Sequence, residues 1–248
     1  ANNSNSVTQE EKNGYIGLGK TAEAYAMLVL SDLQYENGLR IEVTDEQKPG
    51  KIQPYPMVLA AIKTLLNDGD AALAKAGTDL AFPVPSGFAD FGNVAGFRQF
   101  NRALAARLAI RSNNYPDALP VTAGPRFNFS ATAGDAVNPL FQLPNTAPSV
   151  ATVAHPTFRT DIRPGDTRIN KIAARTTRLS RQGLSSNDDV VLYPTQTSPI
   201  PAIKREELLL IAAEANANTG KLPLAVVQIN KVGNAYGLPD YTGPITAA

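Results

Sequence analysis

The sequence predicts a mainly α-helical fold of tetratricopeptide-like helical hairpins, with a long irregular, partly β middle segment. Three observations predict it. In the first half of the chain, apolar residues recur at spacings of three and four over successive stretches. Between Val121 and Ser198 that period is lost, and prolines and glycines divide the chain into short β-like pieces. A small-residue pattern also repeats: Ala106 and Ala118 lie twelve residues apart with Pro116 before the second, and Ala213, Ala225 and Pro223 repeat the arrangement. Small residues at such points let two antiparallel helices approach closely around a tight turn, although any alanine-rich antiparallel pair would carry the same mark.

The first helix is predicted from about Gly17 to Glu36, with Ala22, Tyr25, Ala26, Val29, Leu30 and Leu33 on one face. Asn37 and Gly38 end it, because both tolerate the left-handed conformation of a helix C-terminus. Leu39 to Val43 then alternates as a short strand, and Pro49 to Pro56 is a loop. A second helix covers about Pro56 to Ala76, proline being suited to a first turn. Its buried face is Val58, Ile62, Leu65, Leu66 and Leu73, with Gly69 as a point where it could break. Gly77 to Asn93 reads as an ordered loop. Asn93 caps a third helix, Val94 to Arg111, whose core face is Phe97, Phe100, Leu104 and Leu108. Tyr115 to Leu119 starts a short partner helix.

In the irregular region, Arg126 to Phe129 and Val190 to Tyr193 are strand-like. A segment of this length without helical period usually carries function in a compact domain. Helices resume at Ile203 to Thr219 and at Leu222 to Ala235, joined by a turn at Gly220 and Lys221.

Composition narrows the function. A chain of 248 residues suffices for one sizeable domain or two small ones. Its net charge of +1 gives no electrostatic case for nucleic acid or anionic lipid. The densest basic group, Arg159 to Arg181, is interleaved with Asp161 and Asp166 and reads as a solvated surface. Cysteine is absent, which removes disulfides, thiolate metal sites and a cysteine nucleophile. No run approaches the roughly 18 apolar residues that span a membrane. A lone His155 before Pro156 gives no basis for a metal site, so no metal or cofactor is expected.

One motif invites a nucleotide-binding reading. Gly14 to Thr21 matches the phosphate-loop pattern G-x-x-x-x-G-K-T. A phosphate loop follows a buried strand, whereas the residues before Gly14 are polar and include Gln9, Glu10, Glu11 and Lys12. The bland alternative places Gly17 and Gly19 at a helix entrance with Lys20 and Thr21 in its first turns. For an enzyme, the adjacent carboxylates Asp188 and Asp189 are the pair of interest. Neighbours on a strand point to opposite faces, so a turn role is expected for them and no enzymatic activity.

The C-terminal stretch carries a specific resemblance. Pro199 to Asn216, which includes Arg205-Glu-Glu-Leu-Leu-Leu-Ile-Ala-Ala-Glu214-Ala, resembles the proline-containing lead-in and "R-x-E-L-L-L-I-x-A-E-A" helix of the SusD/RagB-like outer-membrane nutrient-binding lipoprotein family. Ala225-Val-Val-Gln-Ile-Asn230-Lys-Val resembles the family's "A-x-x-x-I-N-x-V-R" helix, with Gly233 at the arginine position. Gly237 to Gly243 resembles its "G-L-P-x-Y-T-G" exit. Upstream, Gly17 to Val43 resembles the helix that ends in "N-G-I-P-V", with Leu39-Arg40 for Ile-Pro. Ser86 to Phe88 and Phe100 to Arg107 resemble "P-S-G-F" and "F-N-R-A-L-A-A-R" of one subgroup. Family members begin with a lipobox cysteine and a helical hairpin, and continue beyond "Y-T-G". Residues 1–248 are therefore expected to be a single SusD-like helical domain, an internal portion of a longer lipoprotein without the N-terminal anchor region and the C-terminal helices.

The resemblance implies a lipid-anchored protein on the outer face of an outer membrane, handing oligosaccharides or peptides to a SusC-like TonB-dependent transporter. Such binding needs aromatic platforms and polar groups. The candidate ligand-binding residues are Tyr35 and Asn37 at the end of the first helix, Phe88, Asp90 and Phe91 in the Gly/Pro-rich segment, and Arg126, Phe127 and Asn128 at the opening of the middle region. The absence of Trp leaves a peptide or another nutrient open as ligand. A helical-hairpin scaffold for a protein partner stands beside this reading, as does the nucleotide site at Gly14 to Thr21.

Overall fold

The computed structural model describes residues 6–45, 47–84, 91–119, 127–129 (backbone), 138–149 and 151–246. Helix α1 spans Gln9–Gln34. Its start is fixed by Thr8, whose hydroxyl accepts from the Glu11 amide at 3.2 Å while the Glu11 carboxylate accepts from the Thr8 amide at 2.7 Å. The helix thus begins eight residues before the predicted Gly17, and Gly14, Gly17 and Gly19 lie in its interior.

Tertiary packing is the reason the glycines are tolerated there. Helix α2, Tyr55–Leu73, runs antiparallel to α1, with Asn13 donating to the Lys75 carbonyl at one end and the Tyr35 ring tilted against Tyr55 at the other. A Cβ on Gly17 would lie 2.8 Å from Leu73 Cδ2 and 3.0 Å from the Gly69 carbonyl. The inward face is therefore Gly14, Gly17, Thr21, Ala24, Met27, Leu28 and Ser31. This corrects the predicted face: Val29, Leu30 and Leu33 are exposed and Tyr25 is half-buried. Close helix contact selects the smallest side chains, which a hydrophobicity period passes over. Gly69 is likewise buried inside α2 and does not break it.

A buried polar group locks three helices together. Thr21 donates to the Gly17 carbonyl at 2.7 Å and accepts from Asn101 Nδ2 at 2.8 Å. Asn101 belongs to α3, Val94–Arg111, whose limits match the predicted helix and whose Asn93 side chain accepts from the Gly96 amide at 2.8 Å. Arg102 extends the group to α2 by donating to the Leu66 carbonyl at 2.7 Å. Around it lies the core of Leu28, Ile62, Leu66, Leu73, Phe97, Phe100 and Leu104. The short β1, Leu39–Arg40, pairs antiparallel with β2, Ile52–Gln53; the predicted strand to Val43 is shorter and its partner lies in the predicted loop.

Helix α4, Tyr115–Ala118, folds back on α3, and a further hairpin follows from α6, Arg205–Asn218, and α7, Leu222–Ala235, across Gly220 at φ +77°. Ala106, Ala118, Ala213 and Ala225 are all buried, as the repeated small-residue pattern requires. Strand β3, Phe127–Phe129, pairs antiparallel with β6, Ile200–Ile203, directly before α6.

The region between holds a short α5, Phe158–Asp161, and a hairpin of β4, Ile172–Arg181, with β5, Leu184–Val190. Gln182 and Gly183 turn it with φ of +49° and +80°, the positive values that two-residue hairpin loops demand. Two expectations are corrected here. The strand ends at Val190 instead of running on to Tyr193, and Asp188 and Asp189 lie in it instead of in a turn. Each aspartate meets its own arginine. Asp189 pairs with Arg175, both side chains being within 4% of full burial, and also accepts from the Asn145 amide at 2.6 Å. Asp188 takes Arg159 on the other face. The basic stretch is thus partly structural, because arginines far away in sequence neutralise carboxylates that the strand buries.

Candidate functional site

The antiparallel pairing of α1 and α2 brings the end of one against the start of the other, and there the chain exposes aromatic surface. Tyr35 follows α1 with φ +42° and ψ −115°, a sparsely populated conformation for a residue with a Cβ. Strained backbone of this kind persists only where the surroundings enforce it. The residue is 57% exposed, and its ring meets Tyr55 at a centroid distance of 4.8 Å, tilted by 57°. Asn37, also exposed, lies in the same turn of 3-10 helix, Tyr35–Asn37. Burial first, and then the Asp32 carboxylate, push the Tyr55 hydroxyl above its ordinary pKa, so it remains a hydrogen-bond donor. Arg111 grips Asp32 in a fork, with contacts of 2.9 and 3.0 Å, and this bonding holds the guanidinium firmly protonated.

Arg111 also borders a groove of about 410 Å³ between α3 and α6, lined by Arg107, Ile110, Lys204, Glu207, Leu210, Ile211 and Glu214. Arg107 donates to both oxygens of Glu207 at 2.6 and 2.8 Å and to the Ala202 carbonyl at 2.9 Å. Leu210 stands 49% exposed in this groove. The arrangement offers apolar contact, two locked ion pairs with spare lone pairs and N–H groups, and an aromatic platform alongside. It suits binding of a hydroxyl-rich molecule and assembles no nucleophile with a base.

A second groove, about 480 Å³, lies among His155, Phe158, Arg163, Asp166, Arg168 and Lys171. Two of its cations, Arg168 and Lys171, have partners within the fold. Arg168 pairs with Asp166 at 2.5 Å, and Arg168 and Lys171 approach the Tyr236 ring at 5.1 and 5.0 Å, beside the carbonyl end of α7.

Of the residues singled out from sequence, Tyr35 and Asn37 come together at the platform. Phe91 is 3% exposed and packs over Gly96, where an added Cβ would lie 2.7 Å from Phe91 Cα. Phe91 is therefore a core residue, drawn inward because the chain must close over the start of α3. Phe88, Asp90 and Arg126 lie outside the described residues. The backbone of Phe127 and Asn128 pairs with Ile203 and Pro201, so it reaches the Lys204 end of the α3–α6 groove.

Sequence reasoning missed Tyr55, Arg107, Arg111 and Leu210 as site residues. The one legible sign was the spacing of Arg107 and Arg111, four apart and hence on one face of α3. The motif Gly14 to Thr21 lies wholly inside α1, where the amides are spent on helix hydrogen bonds, and Lys20 pairs with Asp68 at 2.8 Å. It forms no phosphate cradle. Among the described residues no group of three His, Cys, Asp or Glu side chains is placed to hold a metal ion.

No family model matches the sequence, and no curated protein matches it. Solved structures do. A SusD-like carbohydrate binding protein from Bacteroides vulgatus aligns over 96% of this chain and 58% of its own, with a TM-score of 0.66 and 14% identity. NanU of B. fragilis aligns over 99% of this chain and 65% of its own, at TM-score 0.67 and 13% identity. Surface glycan-binding protein A from Bacteroides uniformis aligns over 97% and 63%, at TM-score 0.69 and 12% identity. The chain therefore has the SusD-like helical fold, and it spans about three-fifths of the length of these structures.

Proposed function

We propose that the chain is the helical part of a surface glycan-binding protein, which binds without catalysis and delivers its ligand to a SusC-like TonB-dependent transporter. The observation that carries this reading is the likeness over nearly the whole chain to SusD-like structures, two of them described as carbohydrate- or glycan-binding. Exposed Tyr35 beside half-buried Tyr55 supports it locally, since aromatic faces stack on the C–H faces of sugar rings while neighbouring polar groups take the hydroxyls. Among the described residues no helix is long and apolar enough to cross a membrane. A lipid anchor at the outer-membrane surface is the attachment that fits the proposed role.

Calorimetric titration of the protein with a panel of soluble oligosaccharides and oligopeptides tests the reading. Binding of at least one glycan is expected, and Tyr35→Ala should weaken it by about tenfold, which is about 1.4 kcal/mol. Binding of peptides with no glycan bound would overturn the reading. Glycan binding indifferent to Tyr35→Ala would move the site away from the platform.

A further inference from the structure

We infer that the cavity among α2, α3 and α4 is a site for a small carboxylate, with Arg102 as the residue that receives it. The site stands apart from the tyrosine platform and goes beyond the glycan-binding reading. Three observations carry it.

Charge is the first. Arg102 is half-buried, and the oxygens it meets are neutral. Its Nε donates to Asn101 Oδ1 at 2.9 Å, Nη2 to the Leu66 carbonyl at 2.7 Å, and Nη1 to Asn67 Oδ1 at 3.2 Å. Asp70, whose field reaches Arg102, is already gripped by Arg98 at 2.7 and 3.2 Å. Among the described residues, Arg102 forms no ion pair of its own. Burial pushes its guanidinium below the ordinary pKa, against the pull of Asp70 and together with repulsion from Arg98. The group stays protonated all the same. A cation withdrawn from water without a counter-charge is costly, and an anion beside it relieves that cost.

Geometry is the second. Arg102 lines a cavity of about 180 Å³ whose apolar wall is Leu66 of α2 with Leu108 and Ala109 of α3, all buried. With a second bond to Asn101 from Nη2, four of its five N–H groups are used. The fifth is on Nη1, which also makes the longest of these bonds, to exposed Asn67. Nη1 is thus the atom for a carboxylate oxygen. At about 30 Å³ for each water, the cavity has room for about six atoms of that size. A short-chain acid of about four carbons fills it, its tail against the apolar wall.

The third is the acid already present. Asp117 of α4 also lines the cavity, but its charge is taken up by Lys63 Nζ at 2.8 Å and Asn114 Nδ2 at 2.7 Å. The bond from Lys63, foremost, holds the Asp117 carboxyl below its ordinary value. Lys63, Arg102 and Asp117 together leave one positive charge in the lining, which matches a monoanion. An inorganic oxyanion would leave the apolar wall uncovered.

The test is calorimetric. Butyrate, propionate, acetate, inorganic phosphate and uncharged 1-butanol are titrated in low-chloride buffer into the intact protein. They are titrated in parallel into Arg102→Gln and Ala105→Leu variants whose folding is checked by melting. Arg102→Gln removes the charge. Ala105→Leu, at a half-buried lining position, fills the cavity and leaves Arg102 in place. It keeps the inference testable if Arg102→Gln folds poorly, since Arg102 also holds Asn101. Butyrate should bind with a Kd below about 10 mM, and about tenfold or more tighter than phosphate or 1-butanol. Each variant should weaken it by about tenfold or more.

No saturable butyrate binding, equal binding of 1-butanol, preference for phosphate, or full affinity in Ala105→Leu would overturn the inference. Arg102 and Ala105 border neither the platform nor the α3–α6 groove, so failure of the glycan titrations would leave it standing.

Discussion

At Asp188 and Asp189, adjacent residues of one strand, burial sets different consequences for the same chemistry. Asp189 is fully buried and its partner Arg175 is 4% exposed, whereas Arg159, which holds Asp188, is half exposed. Removing one member of a buried pair strands the other charge and costs about 3–5 kcal/mol. A pair open to water is worth about 1 kcal/mol or less. Urea unfolding of Asp189→Ala should therefore show the larger loss, with Asp188→Ala close to the parent; equal losses would refute the distinction. Asp166 supplies a pH-dependent case. Its hydrogen bonds from the Arg168 side chain hold its carboxyl below the ordinary value. The folded form thus binds this proton less readily than the unfolded chain. The stability from the pair is complete above the unfolded carboxyl's pKa of about 3.9. It is lost as pH falls through the lower folded value. Asp166→Asn should flatten the acid limb of a stability–pH profile measured by unfolding midpoints, and an unchanged limb would remove Asp166 from the account.

Helix α1 shows at the scale of an element how a motif can mislead. Its three glycines suggest a loop because each costs a helix about 1 kcal/mol relative to alanine. Gly17 is buried against α2 and Gly14 against Ala76 just beyond it, while Gly19 faces open space with nothing within 4 Å of a Cβ. Gly17→Ala should destabilise by about 1–3 kcal/mol, since the nearby Gly69 carbonyl is backbone and cannot turn away. Gly19→Ala should stabilise by about 1 kcal/mol. Thermal melts of the two variants check both signs, and a common sign would discard the packing explanation. Helix α3 was legible by contrast: Asn93 marks its start, and Phe97, Phe100, Leu104 and Leu108 fall at helical spacing on the face that is in fact buried. The β4–β5 hairpin escaped notice because most of its exposed strand residues are polar, few apolar residues mark its buried face, and its turn is Gln182-Gly183, outside the usual hairpin signals.

Across the whole molecule, hairpins are tied in series by ion pairs between residues distant in sequence, Asp32 with Arg111 and Arg107 with Glu207. Arg111 and the Arg107–Glu207 pair also border the groove between α3 and α6, so the same side chains serve both assembly and surface. The sequence by itself determined the helical class, the limits of α3, the small-residue hairpin contacts at Ala106, Ala118, Ala213 and Ala225, and the resemblance that its structural likeness supports. These depend on neighbours within a few turns, where periodicity and caps act. Only the tertiary structure decided which face of α1 turns inward, that Phe91 belongs to the core, and that Tyr55 and Arg111 join Tyr35. Those outcomes depend on which helices approach most closely and which charges meet across the fold, and such distances are set by packing, not by position in the chain.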